Sequence, residues 1–208
     1  MVSKVVGLSI RTFRHIFADR SYERYYSSQT WEQKYRDEKY DLSTKKEDGR
    51  YGALLQILRR YDRGTMLDLG CGDGLLWRDY RPLSNSALIG IDYSATAVAK
   101  ANALNVPQCR FECGDYRTFQ PGQEISVVVF NESLYYIDDF LNAMHKSSEW
   151  LNESGVVVVS MFDTLVTRRI WKKVLQDYFS IQQVMVRDHA SGCSWTIRVF
   201  PRRQSSHP

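Results

Sequence analysis

A chain of 208 residues with 43% hydrophobic content can fill one sizeable core and hardly two, so a single domain is expected over residues 1–208. The formal charge of +4 arises from 28 basic residues interleaved with 24 acidic ones, and without a basic block a nucleic-acid partner is disfavoured. Cys71, Cys109, Cys113 and Cys193 fall in no metal-ligand spacing, and no apolar run reaches the roughly 20 residues that span a bilayer; reduced thiols, a cytoplasmic location, no metal and no membrane partner are the expectations.

Residues 1–64 read as a polar, helical extension without a strand pattern. Lys4, Arg11 and Arg14 near the start suit either a transit peptide or an ordinary amphipathic helix. The stretch "SYERYYSSQTWEQKYRDEKYDL" places Tyr22, Tyr25, Tyr26, Trp31 and Tyr35 close together, a composition suited to a lid with aromatic faces or to a helix packed on a sheet edge. "RYGALLQILRRY" follows with apolar residues three and four apart.

From residue 65 to 200 the texture changes to short apolar runs, "MLDLG", "ALIGID", "CRFECGD", "ISVVVFNE" and "GVVVVSMF", separated by helical segments, which implies a parallel sheet. Ser94 is a cap candidate for "ATAVAKANALN", and "DDFLNAMHKSSEWLNESG" ends on a glycine suited to a helix terminus. "FSIQQVMVRDHASGCSWTIRVF" reads as two strands around a Ser-Gly turn, an antiparallel hairpin at the sheet edge, and residues 201–208 as a tail.

The glycine turn after the first strand, Gly70-Cys71-Gly72-Asp73-Gly74, fits neither a dinucleotide fingerprint nor a P-loop. Asp68 stands two positions before it, where an acid would repel a polyphosphate and welcome a cationic ligand. Asp92, at the end of the second strand, can accept hydrogen bonds from both hydroxyls of a ribose. Asp115, after the third strand, can accept one from an adenine amino group, with Tyr116 packing at the base.

In order and spacing, "LDLGCGDG", "IGIDYS", "CGDY" and "VVVFNESLYY" resemble the motifs of class I S-adenosylmethionine-dependent methyltransferases, over about residues 54–200. The resemblance implies an α/β, Rossmann-like fold with a seven-stranded, mostly parallel sheet, an antiparallel edge hairpin and an N-terminal helical lid or extension. It also implies S-adenosyl-L-methionine as cofactor, lying across Asp68, Gly70, Gly72, Asp92, Tyr93, Asp115, Tyr116 and Asn131. "NESLYY" and "CSWTIRVF" are loosely similar to small methyltransferases of nodulation, polysaccharide and natural-product pathways, which favours a small or sugar-like acceptor.

In this family the residues after the fourth strand face the transferable methyl group. Asn131-Glu132-Ser133-Leu134 stands where amino-methylating nucleic-acid enzymes carry Asn/Asp-Pro-Pro-aromatic, so base methylation loses support. Metal-assisted catechol enzymes hold their cation with carboxylates here and after the next strand, where only Asp163 is present. Glu132 is expected to orient or deprotonate an amine or hydroxyl, with Tyr135 and Tyr136 walling the acceptor pocket, and Trp31, Tyr35, Tyr22 and Tyr26 as lid residues. His145 and His189 read as surface histidines. An RNA- or protein-modifying enzyme and a non-catalytic cofactor-binding subunit are the alternative readings, and a homodimer is compatible with all of them.

Overall fold

The computed structural model describes residues 27–37, 48–189 and 192–203; Tyr22, Tyr25 and Tyr26, the basic residues of the N-terminus and the end of the tail lie outside them. Helices α1 (Ser28–Arg36) and α2 (Asp48–Tyr61) precede a regular alternation of β1 (Met66–Leu69), α3 (Leu75–Tyr80), β2 (Leu88–Asp92), α4 (Ala95–Ala103) and β3 (Cys109–Cys113). There follow β4 (Ile125–Asn131), α5 (Phe140–Trp150), β5 (Leu151–Phe162), α6 (Leu165–Asp177), β6 (Gln182–Arg187) and β7 (Ser194–Pro201). The strands form one seven-stranded sheet in the order β3-β2-β1-β4-β5-β7-β6, parallel except for β7, which runs antiparallel to both β5 and β6.

The sheet lies between two helical layers. Leu54, Ile57 and Leu58 of α2, Leu76 and Trp77 of α3 and Val98 and Ala101 of α4 cover one face against Met66, Val127, Val129, Val158 and Ile197. Ala143 and Met144 of α5 and Ile170, Trp171 and Val174 of α6 cover the other against Leu67, Val128, Phe130, Val159 and Phe200. Val127, Val128, Val129 and Phe130 are fully buried, as the continuous apolar run of a strand covered on both faces requires.

The helix expected to end at Gly155 stops at Trp150 instead, and "LNESG" opens β5. The pairing passes from Ile125–Leu151 to Val127–Val156 through a bulge. A Cβ on Gly155 would lie 2.9 Å from the Leu151 side chain, so this glycine allows a strand to fold back on its own start rather than a helix to stop. Ser94 does cap α4, its Oγ accepting from Ala97 N at 3.0 Å.

Consecutive strands step outward from β1 to β2 to β3, and on the other side from β4 to β5. The crevice where the order reverses therefore opens above the carboxyl ends of β1 and β4, where open α/β sheets bind ligands.

Candidate active site

Above β1 the chain leaves the sheet through Gly70, Gly72 and Gly74, with φ of 84°, 54° and 76°. Gly70 also excludes a side chain sterically, and Gly72 is approached by one. A Cβ on Gly70 would stand 2.5 Å from Ser133 Cβ, and one on Gly72 would stand 2.6 Å from the Tyr35 hydroxyl. The loop after β4 and helix α1 thus close on the turn from two sides. The Ser133 hydroxyl also donates to the Leu69 carbonyl, tying that loop to the end of β1.

Asp68 is buried below the turn. Trp77 Nε1 donates to its Oδ2 at 2.6 Å, while Oδ1 has no hydrogen-bond partner among the described residues. Burial drives its pKa up to about 7, opposed by the Trp77 bond and reinforced by Asp92. Since this folded value lies above the ordinary 3.8, ionised Asp68 costs the empty protein stability as pH rises from about 4 to about 7, and a cation placed near it would remove that cost. An orphaned carboxylate oxygen under a glycine turn fits a cationic ligand and disfavours a phosphate.

Asp92 ends β2, its Oδ2 accepting from Gly72 N and its Oδ1 from Ser94 N, each at 2.9 Å. Each oxygen keeps a lone pair for a ligand hydroxyl. Burial raises its pKa against those backbone bonds. Asp115 is more fully engaged. Tyr93 OH donates to it at 2.7 Å, as do Arg117 N at 2.8 Å and Arg117 Nε at 2.7 Å. Burial pushes the Asp115 carboxyl up, but the Arg117 and Tyr93 bonds outweigh it and bring the value down to about 2. Tyr116 packs in the core under α5.

At the end of β4, Glu132 has φ 57°. Its carboxylate accepts from Ser160 Oγ at 2.8 Å, Phe162 N at 2.9 Å and Tyr135 OH at 3.1 Å, and Arg50 Nη1 stands 3.8 Å away. The carboxylate expected to act in acid-base chemistry is bonded on both oxygens and joins the ends of β4 and β5. Arg50, 4% exposed, donates to Asn131 Oδ1 at 2.5 Å and lies over the Tyr51 and Trp195 rings. Tyr135 is buried in the core, whereas Tyr136 is half-buried and meets Trp31 edge-on with centroids 4.7 Å apart. Asp163 is held by Arg168 through bonds of 2.7 and 2.9 Å, which accounts for the lone acid after β5.

Helix α1 is pinned across this crevice by a residue the sequence did not single out. Glu32 accepts from Thr96 Oγ1 at 2.6 Å, Ser94 Oγ at 2.7 Å and Thr96 N at 3.1 Å, so it caps the N-terminus of α4 from a distant segment. The Thr96 and Ser94 bonds lower its pKa to about 2, and the latch should hold from neutral pH downward until that range is reached. Lys100 Nζ adds a bond to the Tyr35 carbonyl at 3.3 Å. Glu32→Ala is expected to leave the sheet domain folded, speed proteolysis of the α1 segment and reduce turnover with cofactor; unchanged proteolysis would show that the three bonds do not hold the helix.

Asp68, Gly70, Gly72, Asp92 and Tyr35 therefore meet at one point, and Asn131, Glu132, Tyr136 and Trp31 gather beside it, with Tyr93 and Asp115 at the β3 end. Glu32, Arg50 and Ser133 were missed. Arg50 alone left a trace, since it falls on the apolar stripe of Leu54, Ile57 and Leu58.

A methyltransferase-domain family model matches residues 31–198. Trans-aconitate 2-methyltransferase of Enterobacter sp. (strain 638) is 32% identical over 116 residues, 54% of this chain and 44% of that enzyme. The Escherichia coli enzyme of that name is 33% identical over 99 residues, 46% of this chain and 38% of its own. The chain thus matches less than half the length of these relatives. The fold is also that of the N-methyltransferase NodS from Bradyrhizobium japonicum WM9, crystallised with S-adenosyl-L-homocysteine, with a TM-score of 0.65 at 18% identity, covering 84% of this chain and 99% of that one. The plantazolicin methyltransferase BpumL, in complex with a pentazolic desmethylPZN analog and S-adenosyl-L-homocysteine, gives 0.66 at 12% identity, covering 88% and 97%. The family match extends from α1 to β7 and takes in the glycine turn, Asp68, Asp92 and the loop after β4, and on this ground the chain belongs to the methyltransferase-domain family, the S-adenosylmethionine-dependent class I fold.

Proposed function

We propose that this chain transfers a methyl group from S-adenosylmethionine to a nitrogen or oxygen of a small-molecule acceptor. The observation that carries the reading is the orphaned, buried Asp68 Oδ1 beneath a turn whose three glycines all have positive φ, with Asp92 beside it. When bound, S-adenosylmethionine supplies a methyl already activated on a sulfonium.

In this reading Asp68 balances the positive charge of the cofactor, and the two free lone pairs of Asp92 take the ribose hydroxyls. Asp115 takes the adenine amino group once the exposed Arg117 side chain swings away, with Tyr93 holding the carboxylate in place. Asn131 and Tyr136 border the acceptor, and α1 covers both ligands and excludes water. Glu132 works as a positioning residue, fixing Phe162 and Tyr135 around the acceptor position, and transfer relies on alignment rather than on a catalytic triad.

Small-molecule acceptors are favoured because Asn131-Glu132-Ser133-Leu134 lacks the base-holding tetrapeptide and the basic residues are interleaved with acidic ones along the sequence. The relatives with named small acceptors, trans-aconitate and plantazolicin, agree in kind. A cytoplasmic location is part of the same proposal.

Calorimetry tests the cofactor assignment. S-adenosylhomocysteine should bind and NADH should not. Because Asp68 gives up its proton when a cation lies against it, binding of S-adenosylmethionine itself near pH 6 should release protons to the buffer, and its affinity should fall as pH drops below about 7. Tight NADH binding with no response to S-adenosylhomocysteine would remove the reading.

A further inference from the structure

The large apolar side chains that stand exposed among the described residues are Leu165, Leu175, Phe179, Ile181 and Met185, and all five belong to α6, β6 and their connection. Phe179 is 79% exposed, Leu165 72% and Met185 67%, so they do not belong to the margin of the core.

They share a face with a set of cations. Leu165, Arg168, Lys172 and Leu175 are all exposed and follow one another at steps of three and four, which places them on one line along α6. The neighbouring Trp171 leans toward β7, 6.2 Å from the Phe200 ring, while Lys173 on the opposite flank lies over Phe140 of α5. The line therefore runs along the flank of α6 that looks toward the β6 edge.

On β6, Val184 and Val186 pack into the core on the α2 side. The alternate residues Gln183, Met185 and Arg187 are exposed and project to the α6 side. Arg198, in register with Gln183, places its guanidinium over Trp171 at 5.4 Å, and its Nε has no hydrogen-bond partner among the described residues. Asp163 offsets Arg168, and Asp177 is the one acid in α6. Set against Asp177 and Asp188, the four cations Arg169, Lys172, Arg187 and Arg198 leave an excess of two positive charges around the apolar side chains.

We propose that this face docks on an anionic lipid surface, with α6 lying in the headgroup layer. Apolar side chains interleaved with basic ones on a helix parallel to the surface are the pattern that anionic headgroups and the acyl boundary satisfy together, and the long basic stems reach outward from it. No described helix is long and apolar enough to cross a membrane, so the contact is peripheral. A second copy docking on the same patch would bring these cations against one another. A nucleic acid would engage the cations but leave Leu165, Leu175, Ile181 and Met185 without partners.

Sedimentation of the full chain with lipid vesicles tests the proposal. Vesicles of phosphatidylcholine mixed with phosphatidylglycerol should bind it at low salt, less so as salt rises, and vesicles of phosphatidylcholine alone should not. Phe179→Ser with Met185→Ser, and separately Arg169→Glu with Lys172→Glu, should each weaken vesicle binding about ten-fold or more. Both pairs should keep the parent affinity for S-adenosylhomocysteine, which shows that they are folded. Failure to bind the anionic vesicles would overturn the proposal. Equal binding by parent and both variants would place the contact elsewhere, and a dimer in solution that the apolar pair dissolves would make the face an interface between copies; either result also overturns it.

Discussion

Asp92→Ala is expected to weaken S-adenosylhomocysteine binding by about 2 to 3 kcal/mol, roughly thirty-fold to more than a hundred-fold, because it removes hydrogen bonds to a charged acceptor. The structure adds a second route to the same loss. Asp92 also receives Gly72 N and Ser94 N, so the variant frees the glycine turn and the start of α4. Asp92→Asn separates the two: one carbonyl oxygen can still accept from Gly72 N, while the charge and half the acceptor capacity are gone. Calorimetry on both variants should rank parent above asparagine above alanine. Parent-like affinity in the alanine variant would end the ribose assignment.

Glu132→Gln should lower stability and turnover together. The amide can keep its oxygen toward Phe162 N and Tyr135 OH by turning its NH2 toward Ser160 Oγ, whose hydroxyl must then accept instead of donate, and this sets a donor and no charge opposite the buried Arg50. Withdrawing the carboxylate charge that faces a buried guanidinium costs about 1 to 3 kcal/mol, to be read from a denaturant midpoint. Turnover should fall ten-fold or more as the Phe162 and Tyr135 positions relax, with cofactor affinity near the parent value. A positioning role leaves the shape of the pH profile unchanged, whereas a base would lose one limb of it. Loss of that limb with parent-like stability would return Glu132 to acid-base chemistry.

The alternation of apolar runs and helical segments made the parallel part of the sheet legible, because strands buried on both faces leave uninterrupted valine-rich runs such as Val127–Val129. The glycine turn and the three strand-end acids were legible for a different reason. Backbone conformation and ligand contact restrict those positions to particular residue types. The end of α5 was misread because Gly155 carries the same letter whether it stops a helix or admits a bulge, and what separates the two is the Leu151 side chain against it. Glu132 was read by its place after β4 alone. Its partners Ser160 and Phe162 sit on another strand, and Arg50 lies 82 positions earlier by number. Glu32 was illegible in the same way, being one charged residue in a polar helix until α4 is brought beneath it.

The latch of Glu32 on Thr96 carries its own reporter. The Thr96 amide donates to Glu32 Oε2 across 64 positions of sequence rather than to its own helix. Amides in the first turn of a helix lack carbonyl partners within it, so this proton is shielded from solvent only while α1 lies in place. Its hydrogen-exchange rate, compared with that of the Ala97 amide bonded to Ser94 Oγ one residue on, reads the fraction of time the crevice stands open, without a label and without a substrate.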